Sequence, residues 1–305
     1  MDILETRGIW YKGNMHMHTT RSDGAYPPEK AIELYRRAGY DFIALTDHRV
    51  VNDLEEYDDF VILNGAEWDT GNLRNIPVYH IVGIGMKETM GDIYGMARYR
   101  SGRQPLPQEI INAINEAGGA AILAHPAWSV MTAEEMMDLR GLAAAEIYNT
   151  VSGLPWNPDR ADSSIYFDIW AKNGKMVPCM AADDVHHYDG DQCRAFTMVN
   201  APELTRNGLM YAIRRGNFYA SQGPRFEKLT YHNGLVTVRF SSDVKHICFV
   251  TNTPWGDYNI QEADKTCEAV YRIGRTDTFC RVVLIDGKGR KAWSSPFSLY
   301  PTRER

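Results

Sequence analysis

Between residues 8 and about 223, short apolar runs alternate with helix-like segments, and this alternation narrows the possible folds more than any other property of the chain. Strands are expected at 8–15, 42–46, 61–66, 78–83, 120–124, 143–148, 177–181 and 197–199. Helical patterns lie between several of them. The segment 28–38 carries Pro28 at its start and Gly39 beyond its end, a placement that suits an N1 proline and a C′ glycine. The segment 107–117 runs into Gly118-Gly119, 163–172 stops before Gly174, and 205–215 stops before Gly216. Thr132 ahead of Ala133-Glu134-Glu135 is a capping-box pattern. Such alternation predicts a largely parallel sheet and, with this many repeats, a closed or distorted barrel. In barrels of this kind the working residues stand at the carboxyl ends of the strands.

From about Arg225 the pattern changes to strands at 229–231, 235–240, 246–251, 269–273 and 279–285, with hairpin-turn signals at Asn233-Gly234 and Asp286-Gly287. The expected organisation is an α/β unit over 1–224 followed by a small antiparallel β domain over 225–305, of sandwich type. Residues 85–104 have no clear period and suit a loop over the mouth of a site. Among 305 residues, 44% are apolar and 24% charged, as in a folded globular protein rather than a disordered one. The net charge of −6 and the lack of a dense Lys/Arg block argue against extended nucleic acid as a partner. No apolar run is long enough to span a bilayer, and the charged start Met1-Asp2-Ile3-Leu4-Glu5 has no signal-like stretch, so a cytoplasmic protein is expected. Five scattered cysteines (Cys179, Cys193, Cys248, Cys267 and Cys280) form no C-x-x-C pair and read as buried or half-buried thiols.

The polar residues gather where the barrel rule puts them. The first strand ends in His16-Met17-His18; in extended chain, residues i and i+2 face the same way, so both imidazoles can reach one ion. Asp23 follows in Ser22-Asp23-Gly24. Later strand ends carry Thr46-Asp47-His48, Glu67, His80, His125-Pro126 and Asp183-Asp184-Val185-His186-His187. Any one of these has a plainer reading as a hydrogen-bonded structural residue or a turn. Jointly they do not, because seven of the nine histidines belong to the series and only His232 and His246 fall in the β tail. Imidazole mixed with carboxylate suits Zn, Fe or Mn. A carboxylate such as Glu67 has two oxygens with which to bridge two ions.

Taken in order, His16-x-His18, Ser22-Asp23-Gly24, Thr46-Asp47-His48, Glu67, His80, His125-Pro126 and Asp184-x-His186 resemble the motifs of the PHP (polymerase and histidinol phosphatase) superfamily over residues 13–187. The resemblance implies a distorted (β/α)7 barrel with two or three divalent ions at its mouth. It implies one ion on His16, His18, Glu67 and Asp184, a second on Glu67, His80 and His125, and a third on Asp23, His48 and His186. Asp47 and His187 would then orient ligands from behind. Further on, Phe218-Tyr219-Ala220-Ser221-Gln222-Gly223-Pro224 and Asp286-x-x-Gly289-Arg290-x-Ala292-Trp293-Ser294-Ser295-Pro296 look like the carbaryl-hydrolase-like branch of that superfamily, whose members also carry a C-terminal β domain.

The expected activity is hydrolysis of a small phosphorylated metabolite or nucleotide through metal-activated hydroxide. His48 or His186 would serve as proton donor where the third ion is missing. Arg21, Arg103, Lys172, Arg194 and Arg225 are candidates for holding phosphate oxygens, Arg194 first among them, and Arg103 lies in the loop over the mouth. Trp128 and Asn149 follow strand ends and are expected to line the pocket. Two other readings keep the same ligands. One is a carbamate, amide or ester hydrolase, and the other a non-catalytic metal-binding interaction module.

Overall fold

The computed structural model describes residues 1–4, 7–52, 57, 59–70, 78–86 and 105–300. Its first part contains β1 (Asp2–Leu4), β2 (Ile9–Asn14), α1 (Pro28–Arg37), β3 (Phe42–Leu45), β4 (Val61–Asp69), β5 (His80–Ile84), α2 (Pro107–Glu116) and β6 (Ala120–Leu123). There follow α3 (Ala133–Met137), β7 (Leu142–Asn149), α4 (Ser164–Lys172), β8 (Cys179–Ala182), β9 (Phe196–Ala201), α5 (Arg206–Arg214) and β10 (Phe218–Ser221). The tail holds β11 (Phe226–His232), β12 (Leu235–Phe240), β13 (Val244–Thr251), β14 (Ile260–Glu262), β15 (Glu268–Arg272), β16 (Phe279–Asp286), β17 (Lys291–Trp293) and β18 (Phe297–Ser298). No helix among the described residues is long and apolar enough to cross a membrane.

One mixed sheet runs β14–β13–β16–β17–β10–β9–β2–β3–β4–β5–β6–β7–β8, with β18 on β16; a separate antiparallel sheet runs β1–β11–β12–β15. The strands β3, β6 and β8 are buried at every position. That is the pattern of a sheet covered on both faces, and it explains why they read as unbroken apolar runs.

The sheet differs from the expected largely parallel one. The pairs β2–β3, β3–β4, β6–β7 and β7–β8 are parallel, but β5 is antiparallel to both β4 and β6, and β9 to β2. A parallel return needs a crossover of a dozen or more residues, and residues 70–79 are too few. The inversion has a chemical consequence. His80 opens β5 rather than closing it, yet it lies opposite Asp69 at the end of β4, so it reaches the same rim as the carboxyl ends of its neighbours.

Among the described residues no backbone ladder closes the sheet into a barrel. Instead β8 and β9 meet through Thr197, whose hydroxyl accepts from the Ala181 N–H (3.2 Å) and donates to the Ala181 carbonyl (2.9 Å). The tail strands divide between the two sheets: β13, β16 and β17 continue the large one through β10, while β11, β12 and β15 recruit β1 from the N-terminus. Val236, Val238, Phe249 and Leu284 from both sheets share one core with Ile43 and Ile62 of the α/β part. Cys179 and Cys280 are buried and the other three cysteines half-buried, all as free thiols.

An ion pair with a buried arginine and a half-buried aspartate ties the tail to the α/β part. Arg281 on β16 is 4% exposed and forks onto Asp168 of α4 at 2.6 and 2.8 Å. Removing one partner of such a pair leaves a buried charge uncompensated. Asp168→Ala is therefore expected to lower unfolding stability by about 3 kcal/mol in urea titrations. A loss below about 1 kcal/mol would mean that water reaches the Arg281 guanidinium.

Candidate metal centre

The centre begins where β2 leaves its ladder. Met15 and Met17 are both fully buried, in two different cores: Met15 packs with Phe42 and Leu63, Met17 with Ile43 and Leu45. His16 and His18 bring their Nε2 atoms to within 3.2 Å of each other. The segment is fixed by neighbours: the Met17 N–H donates to Thr46 Oγ1 (2.9 Å), the Asp184 N–H to the His16 carbonyl (2.9 Å), and the His18 N–H to the Val185 carbonyl (3.0 Å). Gly24 permits the next turn to close, since a Cβ there would fall 2.3 Å from the His18 carbonyl oxygen.

All nine predicted ligands come together. In the innermost set, His16 Nε2 and His18 Nε2 stand 3.2 Å apart; Glu67 Oε2 is 3.4 and 3.3 Å from them and Asp184 Oδ1 3.2 and 3.0 Å. The four side chains are buried. Beside them, Glu67 Oε1 faces His80 Nδ1 (2.9 Å) and His125 Nε2 (3.4 Å). Nearer the solvent, Asp23 lies 3.6 Å from both His48 Nε2 and His186 Nε2, and His48 Nδ1 is 3.2 Å from Glu67 Oε2. Within each of these three groups the ligand atoms lie within 4.8 Å of one another, and His18 also adjoins the outer one.

The donor set fits a divalent cation. Four rings have their outer nitrogen engaged: His16 Nδ1 by Glu146 (2.7 Å), His18 Nδ1 by Ser22 Oγ (3.4 Å), His125 Nδ1 by Ser129 Oγ (3.2 Å) and His186 Nδ1 by the Asp184 carbonyl (2.7 Å). A ring so held turns a lone pair on Nε2 inward. Asp184 Oδ1 is buried with no hydrogen bond of good geometry, although two imidazole nitrogens lie within 3.2 Å. Imidazole nitrogens and carboxylate oxygens thus converge on one point, an arrangement that a cation or added protons relieve.

Without metal, protons are drawn in. Burial disfavours charged His16, yet Asp184, Glu146 and Glu67 outweigh it and hold its pKa well above the usual histidine value. Burial likewise opposes charge on His18, but hydrogen bonds to Asp184 and Glu67 raise it to about 9. Despite their burial, Glu67 and Asp184 are held far below the ordinary carboxylate range by the surrounding histidines. His48 is lowered, chiefly by burial.

A second rank of carboxylates faces away from the cluster and fixes its loops. Asp47 accepts from the Thr19 N–H (2.7 Å), Ser22 Oγ (2.9 Å) and Asn52 Nδ2 (2.8 Å). Asp191 accepts the backbone N–H groups of His186, His187 and Tyr188 at 2.7–2.9 Å. Asp183 points away from Asp184 and takes bonds from Tyr35, Thr150 and three backbone N–H groups; burial raises its pKa to about 6. Sequence reasoning missed Asp191 and Glu146. A signal for Glu146 exists, since it is the one charged residue of β7, whose other positions are apolar up to Tyr148 and Asn149. A buried carboxylate demands partners.

A cavity of about 240 Å³ opens over the cluster, lined by Asp23, His48, His80, His125, His186 and Trp128 among others, with no Lys or Arg among the described residues of its wall. Trp128 stands edge-on to His125 and His80, its Nε1 donating to Asn157 Oδ1 (2.9 Å). His187 is exposed at the rim. Among the described residues, the remaining substrate-contact candidates are not brought into this wall. Arg194 lies over the Trp156 ring (5.5 Å) and donates to the Gly190 carbonyl. Asn149 is buried, its amide bonded to Glu146 (2.7 Å) and Asp184 (3.1 Å), because its strand end faces the ligand loops rather than the opening. Arg21 donates to Asn52 (2.6 Å), and Lys172 lines a different groove beside α4. Arg103 and most of 85–104 lie outside the described residues.

Fold and site together define an α/β protein with a histidine–carboxylate centre of metal-binding type. No family model matches the chain. A two-domain protein from Bacteroides vulgatus ATCC 8482, described as containing a predicted PHP-like metal-dependent phosphoesterase, superposes over 94% of this chain and 95% of its own with a TM-score of 0.53 at 14% identity. That likeness is one of fold. An amidohydrolase from Chromobacterium violaceum matches over 68% of this chain and 96% of its own, with a TM-score of 0.46 and 16% identity. In sequence, the DNA polymerase/3'-5' exonuclease PolX of Bacillus subtilis (strain 168) is 35% identical over 89 residues, 23% of this chain. The match spans 15% of that relative's length.

Proposed function

We propose that the chain is a metal-dependent phosphoesterase acting on a small phosphorylated metabolite or nucleotide in the cytoplasm. The observation that carries this reading is the convergence of three ligand groups beneath one open cavity, with Glu67 in the inner two and its Oε2 3.2 Å from His48 of the third. The description of the Bacteroides structure supports the same chemistry. In this reading His16, His18, Glu67 and Asp184 hold one ion, Glu67, His80 and His125 a second, and Asp23, His48 and His186 a third. Such ions, Zn, Fe or Mn, would supply Lewis acidity, lowering the pKa of water and neutralising charge on phosphate oxygens.

The chain's own residues do the rest. Trp128 walls the cavity and limits what enters. His186, its Nδ1–H tied to the Asp184 carbonyl, presents Nε2 to the opening. His48, 27% exposed, stands opposite it across Asp23. With two ions bound, either imidazole is placed to give a proton to the leaving group. Arg194 is left out of this scheme because it rests on Trp156. We take residues 1–224 as the hydrolase unit, a distorted (β/α)7 barrel whose seam runs through Thr197. We take 225–305 as the appended β part of the carbaryl-hydrolase-like branch.

One observation favours a second reading: no Lys or Arg lines the cavity among the described residues, as suits a neutral carbamate, amide or ester better than a phosphate. A panel decides between them. With added Mn²⁺ or Zn²⁺, release of p-nitrophenol from phosphate mono- or diesters, and none from aryl carbamates or carboxylic esters, is expected. Turnover of the carbon esters alone would move the protein to the second reading.

A further inference from the structure

We infer that Glu146, which contributes to none of the ligand groups, is the positioning residue for both buried ones; the inference rests on the metal-centre reading above. Glu146 is fully buried in β7, and both its oxygens are committed. Oε1 accepts from His16 Nδ1 at 2.7 Å. Oε2 accepts from the His125 backbone N–H at 2.8 Å and from Asn149 Nδ2 at 2.7 Å. The same Asn149 nitrogen lies 3.1 Å from Asp184 Oδ2. One carboxylate therefore reaches His16 and Asp184 of the first group and His125 of the second.

Two of those residues are in strained backbone. His125 has φ +27° and Asp184 φ +53°, conformations that side-chain-bearing residues keep only where the surroundings over-determine them. The bond from the His125 N–H and the bridge through Asn149 are such constraints. The third bond sets the His16 tautomer: with hydrogen on Nδ1, the lone pair sits on Nε2, facing Glu67 and Asp184. A carboxylate in this place also makes the imidazole a stronger donor.

A neutral isostere cannot reproduce this. All three partners of Glu146 are donors, and glutamine has a single acceptor oxygen. In either orientation its NH₂ would face His16 Nδ1–H or the His125 and Asn149 N–H groups. Glu146→Gln should weaken binding at the buried positions by about 10- to 100-fold.

The test uses the full chain, stripped by chelator and titrated with Zn²⁺ against a competing chelator, bound metal being counted by elemental analysis. Glu146→Gln is expected to show that loss. Asp277→Asn removes an equally buried carboxylate, bonded to Thr251, Thr253 and Tyr271 in the tail, and should bind Zn²⁺ as the wild type does. A second readout needs no variant: loaded wild-type protein should give a slowly exchanging downfield imidazole N–H signal from His16 Nδ1. Should Glu146→Gln fail to fold, Asn149→Ala keeps the charge and removes the bridge to Asp184, and a smaller loss of affinity is expected. Wild-type affinity in Glu146→Gln, equal losses in Glu146→Gln and Asp277→Asn, or no His16 N–H signal in loaded wild type would each overturn the inference alone. Wild type that takes up no Zn²⁺ would overturn the metal-centre reading with it.

Discussion

Replacing Glu67 with alanine is expected to empty the centre and lower hydrolysis by about 10³-fold, the upper end of what loss of one preorganised electrostatic group costs. Glu67 alone among the ligand candidates belongs to both inner groups, and it is the single carboxylate of the second. Its Oε2 is within 3.4 Å of His16, His18 and His48, and its Oε1 within 3.4 Å of His80 and His125. Remove it, and five imidazoles face one another with Asp184 as the one carboxylate left in the inner two groups. Two of the three ion positions lose an anionic ligand, and the second is left with histidine alone. Elemental analysis should find the first two positions empty, while circular dichroism stays near wild type because the β4 ladder is made by backbone. Full metal content in Glu67→Ala would refute the shared-ligand geometry. His48→Ala, at the outer group, should cost far less metal.

The histidine–carboxylate cluster is legible in the sequence for a physical reason. Burying a histidine or carboxylate is costly without a partner, so a series of them at strand ends implies that they partner one another. What the linear order conceals is direction. His80 looks like one more strand-end residue, but it opens an antiparallel strand, and only the shortness of 70–79 hints at the reversal. Glu146 is hidden by its surroundings, an apolar strand that reads as core. Arg194 follows the Asp184-x-His186 motif closely, yet a side chain of that length can turn either way, and here it settles on Trp156. The tail presents the same difficulty at the scale of whole strands. Periodicity finds its hairpins, but it says nothing of β13, β16 and β17 continuing the large sheet through β10, or of β1 joining the other. Those pairings are set by long-range burial, which one-dimensional pattern does not record.

Stripped and loaded protein should respond to pH in opposite directions, and this separates a metal centre from a network of ion pairs that merely stabilises the fold. Without metal, His18 has a folded-state pKa of about 9 against about 6.5 unfolded. A raised pKa contributes stability that is fully present below the unfolded value and lost as pH climbs through the folded one. The shift corresponds to on the order of 3 kcal/mol. His16, also raised, acts in the same sense. Glu67 and Asp184 are shifted downward, so their contribution is present above the unfolded carboxylate pKa and constant across this window. The stripped protein should therefore lose several degrees of melting temperature between pH 6.5 and pH 9. Metal reverses the trend, because the ligating imidazoles must give up the same protons. Affinity rises with pH, and a ligand at 1,000 times its dissociation constant adds about 4 kcal/mol. The gap between chelator-treated and Zn²⁺-loaded melting temperatures, measured by calorimetry, should consequently widen from pH 6.5 to pH 9. A gap that stays constant or narrows would mean that the histidines are held by their carboxylates for the sake of the fold. A widening gap means that these ion pairs stand in for the cation.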